Sequence, residues 1–369
     1  KGKSSVVELT STLLEEAGFK TAHASTIHFK IGDQIERNLH KMTMPGRVFL
    51  QGFLRKAVRA GCTHAVIEMT SEGARQFRHI GIALDALIVT NIAPEHIESH
   101  GSYENYVRAK VSIARALETS SKKNKVLVVN ADDKETPRFL EAFTGTKKTY
   151  GEQNAGGSVI TSEGVSFNWN GMRIESLLPG KFNLYNILAA ITYAEAVGIP
   201  TEKIQSGIKK VAGILGRAQK IELSSPDEAA RIQDFTVIVD YAHTPDSLEK
   251  LYAPYAGKYR RCVLGNTGGG RDTWKRPVMA GIAEKYCDEI ILTNEDPYDE
   301  DPEKIIQEMA VGCTRKEPLL ILDRRSAIRE ALRRGSKGDV ILITGKGTDP
   351  YIMGPNGKKE LWDDATVAR

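Results

Sequence analysis

Short β-rich apolar runs alternate with helical patterns along most of this chain, and that rhythm admits few architectures. The runs are Thr63–Met69, Ala86–Asn91, Lys125–Asn130, Thr236–Asp240, Arg261–Gly265, Glu289–Thr293, Leu319–Leu322 and Val340–Thr344. Helical patterns at Ser102–Leu117, Asn183–Val197, Lys275–Tyr286 and Pro302–Val311 separate many of them. Strands joined by helices pair in parallel and are covered on both faces, so the expected class is α/β. The polar, Gly-rich stretch Gly151–Gly171 reads as a β-hairpin insertion. A new set of strands begins after the helical pattern Thr201–Val211, which places a boundary at 215/216 and gives domains 1–215 and 216–369.

Composition narrows the function classes. Fifty-one basic and 47 acidic residues nearly cancel, which gives no case for a nucleic-acid surface. No stretch approaches the ~18 apolar residues of a membrane span. The four cysteines, Cys62, Cys262, Cys287 and Cys313, are far apart and form no Cys-x-x-Cys pair. That spacing argues against a zinc ribbon or a disulfide framework and suits a reducing cytosol.

Parallel sheets bind ligands at the carboxyl ends of their strands, and here those ends are chemically loaded. Glu68 closes the first run, Asn91 and His96 follow the second, and Asn130–Asp133 the third. Asp240, Gly265–Gly270, Asn294–Asp296 and Gly345–Gly347 close four more. The chain opens on Lys1-Gly2-Lys3-Ser4-Ser5 and runs into a helical pattern carrying Val6, Leu9, Leu13 and Ala17. A P-loop ends in Gly-Lys-Ser/Thr at the mouth of such a helix. Its amides cradle phosphates, its lysine reaches the β/γ-phosphates and its hydroxyl binds Mg²⁺. Gly2, Lys3 and Ser4 fit those roles, and the upstream glycine and strand would precede residue 1.

His96 and His100 are four apart, but Ile97 stands where a zinc-protease motif needs Glu, which removes that reading. A histidine at a strand end is more often a satisfied surface residue than a ligand. Ser102 is a plausible N-cap for the next helix. The stripe Tyr103, Val107, Lys110, Ala114, Leu117 puts a lysine on the side that should face inward. A buried, unpaired ammonium is costly, so Lys110 should be paired, reach along the surface to water, or be modified.

Six segments together resemble the Mur ligase family of ATP-dependent amide-bond-forming enzymes, and within it the muramyl-tripeptide synthetases. They are Gly2–Ser5; Glu68-Met69-Thr70-Ser71; Asn91–His100 with Tyr106–Lys110; Gly180–Ala190; Val239–Asp246; and Gly265–Pro277 with Thr344–Gly347. They fall in the family's order over nearly the whole chain. Gly-Lys-Ser alone is cheap, whereas Asp240-Tyr241-Ala242-His243-Thr244-Pro245-Asp246 and Phe182-Asn183-x-x-Asn186 discriminate. The fold implied is a P-loop-type parallel-sheet domain followed by a Rossmann-like α/β domain.

The resemblance implies a reaction in peptidoglycan precursor synthesis. A substrate carboxylate attacks the γ-phosphate of ATP, an acyl phosphate forms, and an amine displaces phosphate. Three anionic groups converge, so cations must neutralise the developing charge. Gly2, Lys3, Ser4 and Ser5 would hold the phosphates, with Ser4, Glu68 and His96 as Mg²⁺ ligands. Lys110 would be the lysine that CO₂ carbamylates, giving a carboxylate-like group near the second Mg²⁺. Asn183 and Asn186 would lie near the adenine; helix capping could account for one of them but hardly both. Arg217 and Asp240 match the ribose and phosphate side from the second domain, with His243 near the phosphates. The partners implied are a muramyl-peptide-like acceptor and a free amino acid, for a cytoplasmic monomer that binds ATP between two closing domains. The UDP-binding domain that precedes the P-loop in these relatives lies outside this sequence.

The second domain departs from its nearest relatives. Where enzymes that add meso-diaminopimelate carry Asp-Asn-Pro-Arg, this chain has Glu295-Asp296-Pro297-Tyr298, without the arginine that grips the distal carboxylate. The family's Gly-Lys-Gly-His-Glu appears as Gly345-Lys346-Gly347-Thr348-Asp349. Glu295, Asp296 and Asp349 should then form an acidic pocket, which favours a diamino acid such as lysine or ornithine. Arg271 could pair with the amino acid's α-carboxylate. Folylpolyglutamate synthase, or a ligase of another polymer, is the second enzyme reading, and a P-loop ATP-binding module without ligase activity the third. Asp240–Asp246 and Gly268–Pro277 favour the first reading, and Lys110 with the His96 segment argues against the module.

Overall fold

The computed structural model describes residues 1–93, 97–223, 235–270 and 272–369, without the side chains of residues 97 and 98. The chain divides into two compact units, Lys1–Ala212 and Gly213–Arg369.

The first unit runs α1 (Lys3–Glu16), β1 (Thr21–Ala24), β2 (His28–Ile31), β3 (Gln34–Arg37), α2 (Arg47–Arg59), β4 (His64–Ile67), α3 (Ser71–Arg75), β5 (Ala86–Val89) and α4 (Ile97–His100). It continues through α5 (Tyr103–Glu118), β6 (Val126–Asn130), α6 (Thr136–Glu141), β7 (Thr146–Tyr150), β8 (Gly156–Ile160), β9 (Val165–Trp169), β10 (Met172–Ser176), α7 (Lys181–Ala196) and α8 (Thr201–Lys210). β5, β6 and β7 pair in parallel. All of β6, Val-Leu-Val-Val-Asn, is buried, as the continuous apolar run of a central parallel strand requires. α7 is apolar nearly all round and buries Leu184, Ile187, Leu188, Ala189, Ala190, Ile191 and Ala194, so it is a core helix against which α1 packs.

Two sheets exceed the sequence reading. Thr21–Arg37 folds as an antiparallel meander, β1–β2–β3, whose β1 also pairs in parallel with β4. The expected hairpin is the β8–β9 half of a three-stranded antiparallel sheet that β10 completes.

The second unit runs β11 (Gln219–Ile221), β12 (Thr236–Asp240), α9 (Pro245–Tyr252), β13 (Arg260–Leu264), α10 (Lys275–Tyr286), β14 (Glu289–Leu292), α11 (Pro302–Ala310) and β15 (Leu319–Leu320). It ends with α12 (Arg324–Arg333), β16 (Val340–Thr344), β17 (Tyr351–Met353), β18 (Lys359–Leu361) and α13 (Asp364–Ala368). Its six-stranded sheet has the order β11-β12-β16-β13-β14-β15 and is parallel except for β11. Val237, Val239, Val263, Ile291, Ile341 and Ile343 cluster with Ala327, Ile328 and Ala331 of α12. The alternate residues Ile238, Cys262, Leu264, Ile290, Leu292 and Leu342 are buried as well. Both faces are therefore covered, and the expected α/β class with parallel sheets holds.

One expectation is overturned. Cys262 in β13 and Cys287 at the end of α10 form a disulfide, with Cα atoms 6.0 Å apart and a sequence separation of 25. A single strand–helix unit folds the second cysteine back onto the first, so wide spacing does not exclude a bridge. The reducing compartment inferred from that spacing loses its support. Cys62 and Cys313 carry no disulfide. Among the described residues, no helix is long and apolar enough to cross a membrane.

Candidate active site

In the first unit the candidate site forms around the start of α1. Gly2 caps this helix in a left-handed conformation, φ 78°, and Val6 N–H donates to its carbonyl at 2.9 Å. The amides of Lys3, Ser4 and Ser5 precede the first intrahelical bond, and no acidic residue occupies the first turn. Such a helix mouth attracts anions. Ser4 Oγ donates to Glu68 Oε2 at 2.8 Å, so two of the expected ion ligands meet, both buried. Thr26 adds its N–H at 2.8 Å and its hydroxyl at 3.0 Å to the same oxygen. All three hydrogen bonds land on Oε2, which leaves Oε1 open. Thr26, held in turn by Thr43 Oγ1 at 2.8 Å, has no motif around it that could have marked it beforehand.

α7 supplies the other wall. Asn186 donates to Asn183 Oδ1 at 3.0 Å, and Asn183 to the Pro179 carbonyl at 2.9 Å. A Cβ on Gly2 would lie 2.1 Å from Asn186 Oδ1, so the loop and the asparagine pair are in direct contact. Asn91, at the end of the segment after β5, donates to the Lys1 carbonyl at 2.9 Å.

Ser102 caps α5 by accepting from Asn105 N–H, as its sequence position suggests. Lys110 is half-buried, with Nζ 5.1 Å from the centre of the Tyr106 ring one turn earlier. That cation–π contact gives the lysine a partner on the inward stripe. His100 bonds Ser71 Oγ at 3.1 Å and packs edge-on against Tyr106. Burial, with Arg75 nearby, lowers its pKa. His96 and Arg271 lie outside the described residues.

In the second unit the loops at the carboxyl ends of β12, β13, β14 and β16 carry the candidate residues. Asp240 accepts from Ala218 N–H and Ala242 N–H, both at 2.6 Å. Burial pushes its pKa up, while Arg217 and those two amides favour the charged form. The Arg217 guanidinium stacks 4.8 Å from the Tyr241 ring centre, and His243 Nδ1 bonds the Tyr241 carbonyl at 2.7 Å. Desolvation raises the Tyr241 phenol as well, which keeps it neutral.

The model of the Mur ligase middle domain matches residues 1–194, and that of the Mur ligase glutamate ligase domain matches residues 227–347. The chain belongs to the Mur ligase family. It is 36% identical to the UDP-N-acetylmuramyl-tripeptide synthetase of Roseiflexus sp. (strain RS-1) over 100% of this chain and 76% of that protein. It is 34% identical to the UDP-N-acetylmuramoyl-L-alanyl-D-glutamate--2,6-diaminopimelate ligase of Bacillus cereus, covering 100% of this chain and 75% of the relative. A solved structure of a UDP-N-acetylmuramoyl-L-alanyl-D-glutamate--2,6-diaminopimelate ligase superposes with a TM-score of 0.66 at 27% identity, covering 100% of this chain and 76% of that one. As a member, this chain is an acid–amino-acid ligase of the ATP-dependent kind.

This Mur ligase does not hold the acidic pocket expected from its sequence. Lys346 is fully buried, and its Nζ lies 2.8 Å from Asp296 Oδ1, 2.8 Å from Asp349 Oδ2 and 2.5 Å from the Tyr351 carbonyl. Burial alone would lower its pKa, but Asp296 and Asp349 outweigh it and hold the ammonium charged. Two of the three carboxylates thus serve a lysine of the chain itself. Lys346 sits inside the Gly345–Asp349 motif, yet sequence gives no sign of a partner fifty residues away. A second buried pair lies nearby: Arg324 binds Asp364 through two bonds of 2.8 and 2.7 Å and donates to the Thr344 carbonyl.

Glu295 keeps a different status. Its Oε1 accepts from Thr267 Oγ1 at 2.9 Å, while Oε2 is buried and makes no hydrogen bond with the described residues. Gly345, at φ 105°, leaves room for it, since a Cβ there would fall 2.4 Å from Oε2. Tyr298 takes a left-handed φ of 52°, donates its N–H to the Met353 carbonyl and lays its ring against Gly269.

The donor set of the first unit fits Mg²⁺. A hydroxyl and a carboxylate at a helix mouth are hard oxygen ligands, and Mg²⁺ takes one or two such groups together with substrate phosphates.

Proposed function

We propose that this Mur ligase joins a free amino acid to a muramyl-peptide-like carboxylate through an acyl phosphate, in peptidoglycan precursor synthesis. The Ser4–Glu68 pair carries the reading: it sits at the mouth of a helix whose first amides precede the first intrahelical bond, and the hydrogen bonds from Ser4 and Thr26 all end on Glu68 Oε2. The amides of Lys3, Ser4 and Ser5 would hold the phosphates, and Lys3 would bring an ammonium to the β/γ oxygens. Bound at Ser4 and Glu68, Mg²⁺ would neutralise charge on those oxygens. Asn183 and Asn186 are assigned to the adenine, and Arg217, Asp240 and His243 to the ribose and phosphates. The names of the relatives, a tripeptide synthetase and diaminopimelate ligases, support the acceptor class.

For the amino acid, the open Glu295 Oε2 supplies an acceptor for an amine. Tyr298 offers no guanidinium for a distal carboxylate. A diamino acid such as lysine or ornithine is therefore expected over meso-diaminopimelate, now on Tyr298 and Glu295 alone. In the complete gene product, phosphate release from ATP should require both a muramyl-dipeptide acceptor and the amino acid. Release independent of either would reject the ligase assignment. Competition among the three amino acids tests specificity separately: a clear win for meso-diaminopimelate would overturn the preference and leave the chemistry standing.

Lys110 is assigned the carbamate of the active form, on the family resemblance. After losing a proton to solvent, the Lys110 amine would add to the carbon of CO₂ and release a second proton, leaving a carbamate anion suited to a second Mg²⁺. Labelling with ¹³CO₂ should give a carbamate resonance that is absent from Lys110→Ala, and short carboxylates should partly restore activity to that variant. An unmodified amine in the turning-over enzyme would remove the assignment.

A further inference from the structure

Glu8, His23 and His28 aim one ligand atom each at a common point, one turn along α1 from Ser4. His23 Nε2 and His28 Nε2 are 2.8 Å apart, and Glu8 Oε1 lies 3.4 Å from each. This is the one group of three or more His, Cys, Asp or Glu side chains with metal-like convergence among the described residues. We propose that it is a binding site for a divalent first-row transition metal of the zinc class, clamping α1 to the β1–β2 hairpin.

The geometry fits the ion. A metal about 2.0–2.1 Å from each atom, the usual bond length for zinc with imidazole or carboxylate, sits just off the plane of this triangle. Two imidazoles and one carboxylate leave the fourth position of a tetrahedron for water. A plain hydrogen-bonded pair accounts for the arrangement less well. At 2.8 Å the two ring nitrogens cannot both carry protons toward each other, so a single proton would serve a cluster of three acceptors, one of them anionic. Neither Nδ1 atom meets a hydrogen-bond partner, so the polar contacts of both buried rings are confined to the point where they converge.

Both rings are buried, and a metal of this class takes the neutral imidazole nitrogen. Lys30 is occupied by Glu15 at 2.7 Å, which limits its repulsion of a cation. Glu8 lies one turn beyond Ser4 on α1, so an ion here would fix the helix whose first turn carries the phosphate loop. The site is distinct from the Mg²⁺ site by chemistry: two of its three donors are nitrogen, which Mg²⁺ avoids.

Chelator-treated protein, kept in excess Mg²⁺ to occupy oxygen sites, should bind one equivalent of Co²⁺ with the visible bands of a tetrahedral centre, and Zn²⁺ should displace it. Glu8→Gln and His28→Gln, each checked for native circular dichroism, should lose more than the ~10–100-fold in affinity that follows removal of an outer-shell partner. Ser4→Ala should bind Co²⁺ as the parent does. Absence of a tetrahedral spectrum in the parent, or unchanged affinity in both folded Gln variants, would overturn the site. Should those variants unfold, metal analysis of the untreated parent decides: no zinc-class metal and no Co²⁺ uptake rejects it.

Discussion

Glu68→Gln is expected to lower ATP-dependent ligation by about 10²–10³-fold, the usual cost of one preorganised charge contact in a phosphoryl-transfer site. The substitution is chosen because it separates charge from scaffold. The hydrogen bonds from Ser4 and Thr26 all end on Oε2, and an amide oxygen in its place can still accept them. What disappears is the anionic character of Oε1, the atom those bonds leave open. Lys3→Ala should give a loss of similar size by removing the ammonium from the helix mouth. Turnover against ATP and Mg²⁺, with the melting curve recorded beside it, checks both. Near-parental turnover in either variant would dissolve the assignment of this helix mouth to the phosphates.

Lys346→Met should destabilise the second unit by about 3–5 kcal/mol, the range for breaking a buried ion pair by removing one partner. Met fills much of the lysine's volume, so the effect falls on electrostatics rather than on a cavity. Asp296 and Asp349 would be left buried without their shared cation, and the Tyr351 carbonyl without its donor. Adding Asp349→Asn should recover part of the loss by removing one stranded charge. Urea unfolding of the three proteins measures it. A loss below ~1 kcal/mol, the scale of an exposed pair, would mean that the network is solvated and that Asp296 and Asp349 remain available to a substrate.

What could be read from the sequence followed from range. Val126–Asn130 and Val340–Thr344 announce themselves as buried parallel strands because every residue but the last is apolar. Glu68 and Asp240 stand out as carboxylates closing such runs. β1 is different: Thr-Ala-His-Ala alternates polar with apolar residues, the pattern of a half-exposed strand, yet it is buried at all four positions. The polar half is tolerable only because partners arrive from α1 and β2, as with Thr21 beside Ser11 and His23 beside His28. Asp296 and Cys262 depart from expectation for the same reason. Their partners are set by which strand ends adjoin in the sheet, information that no window of neighbouring residues holds.

The contact between Gly2 and Asn186 ties two distant codons into one inherited unit. Any side chain at residue 2 would need both a left-handed backbone and the space now held by the Asn186 amide. A side chain at residue 2 would displace the Asn186 amide, and Asn183 would then lose the neighbour whose N–H its carbonyl oxygen now accepts. A change at either position is felt at the other, so the loop and the middle of the core helix α7 should be exchanged together when segments are swapped between homologous enzymes.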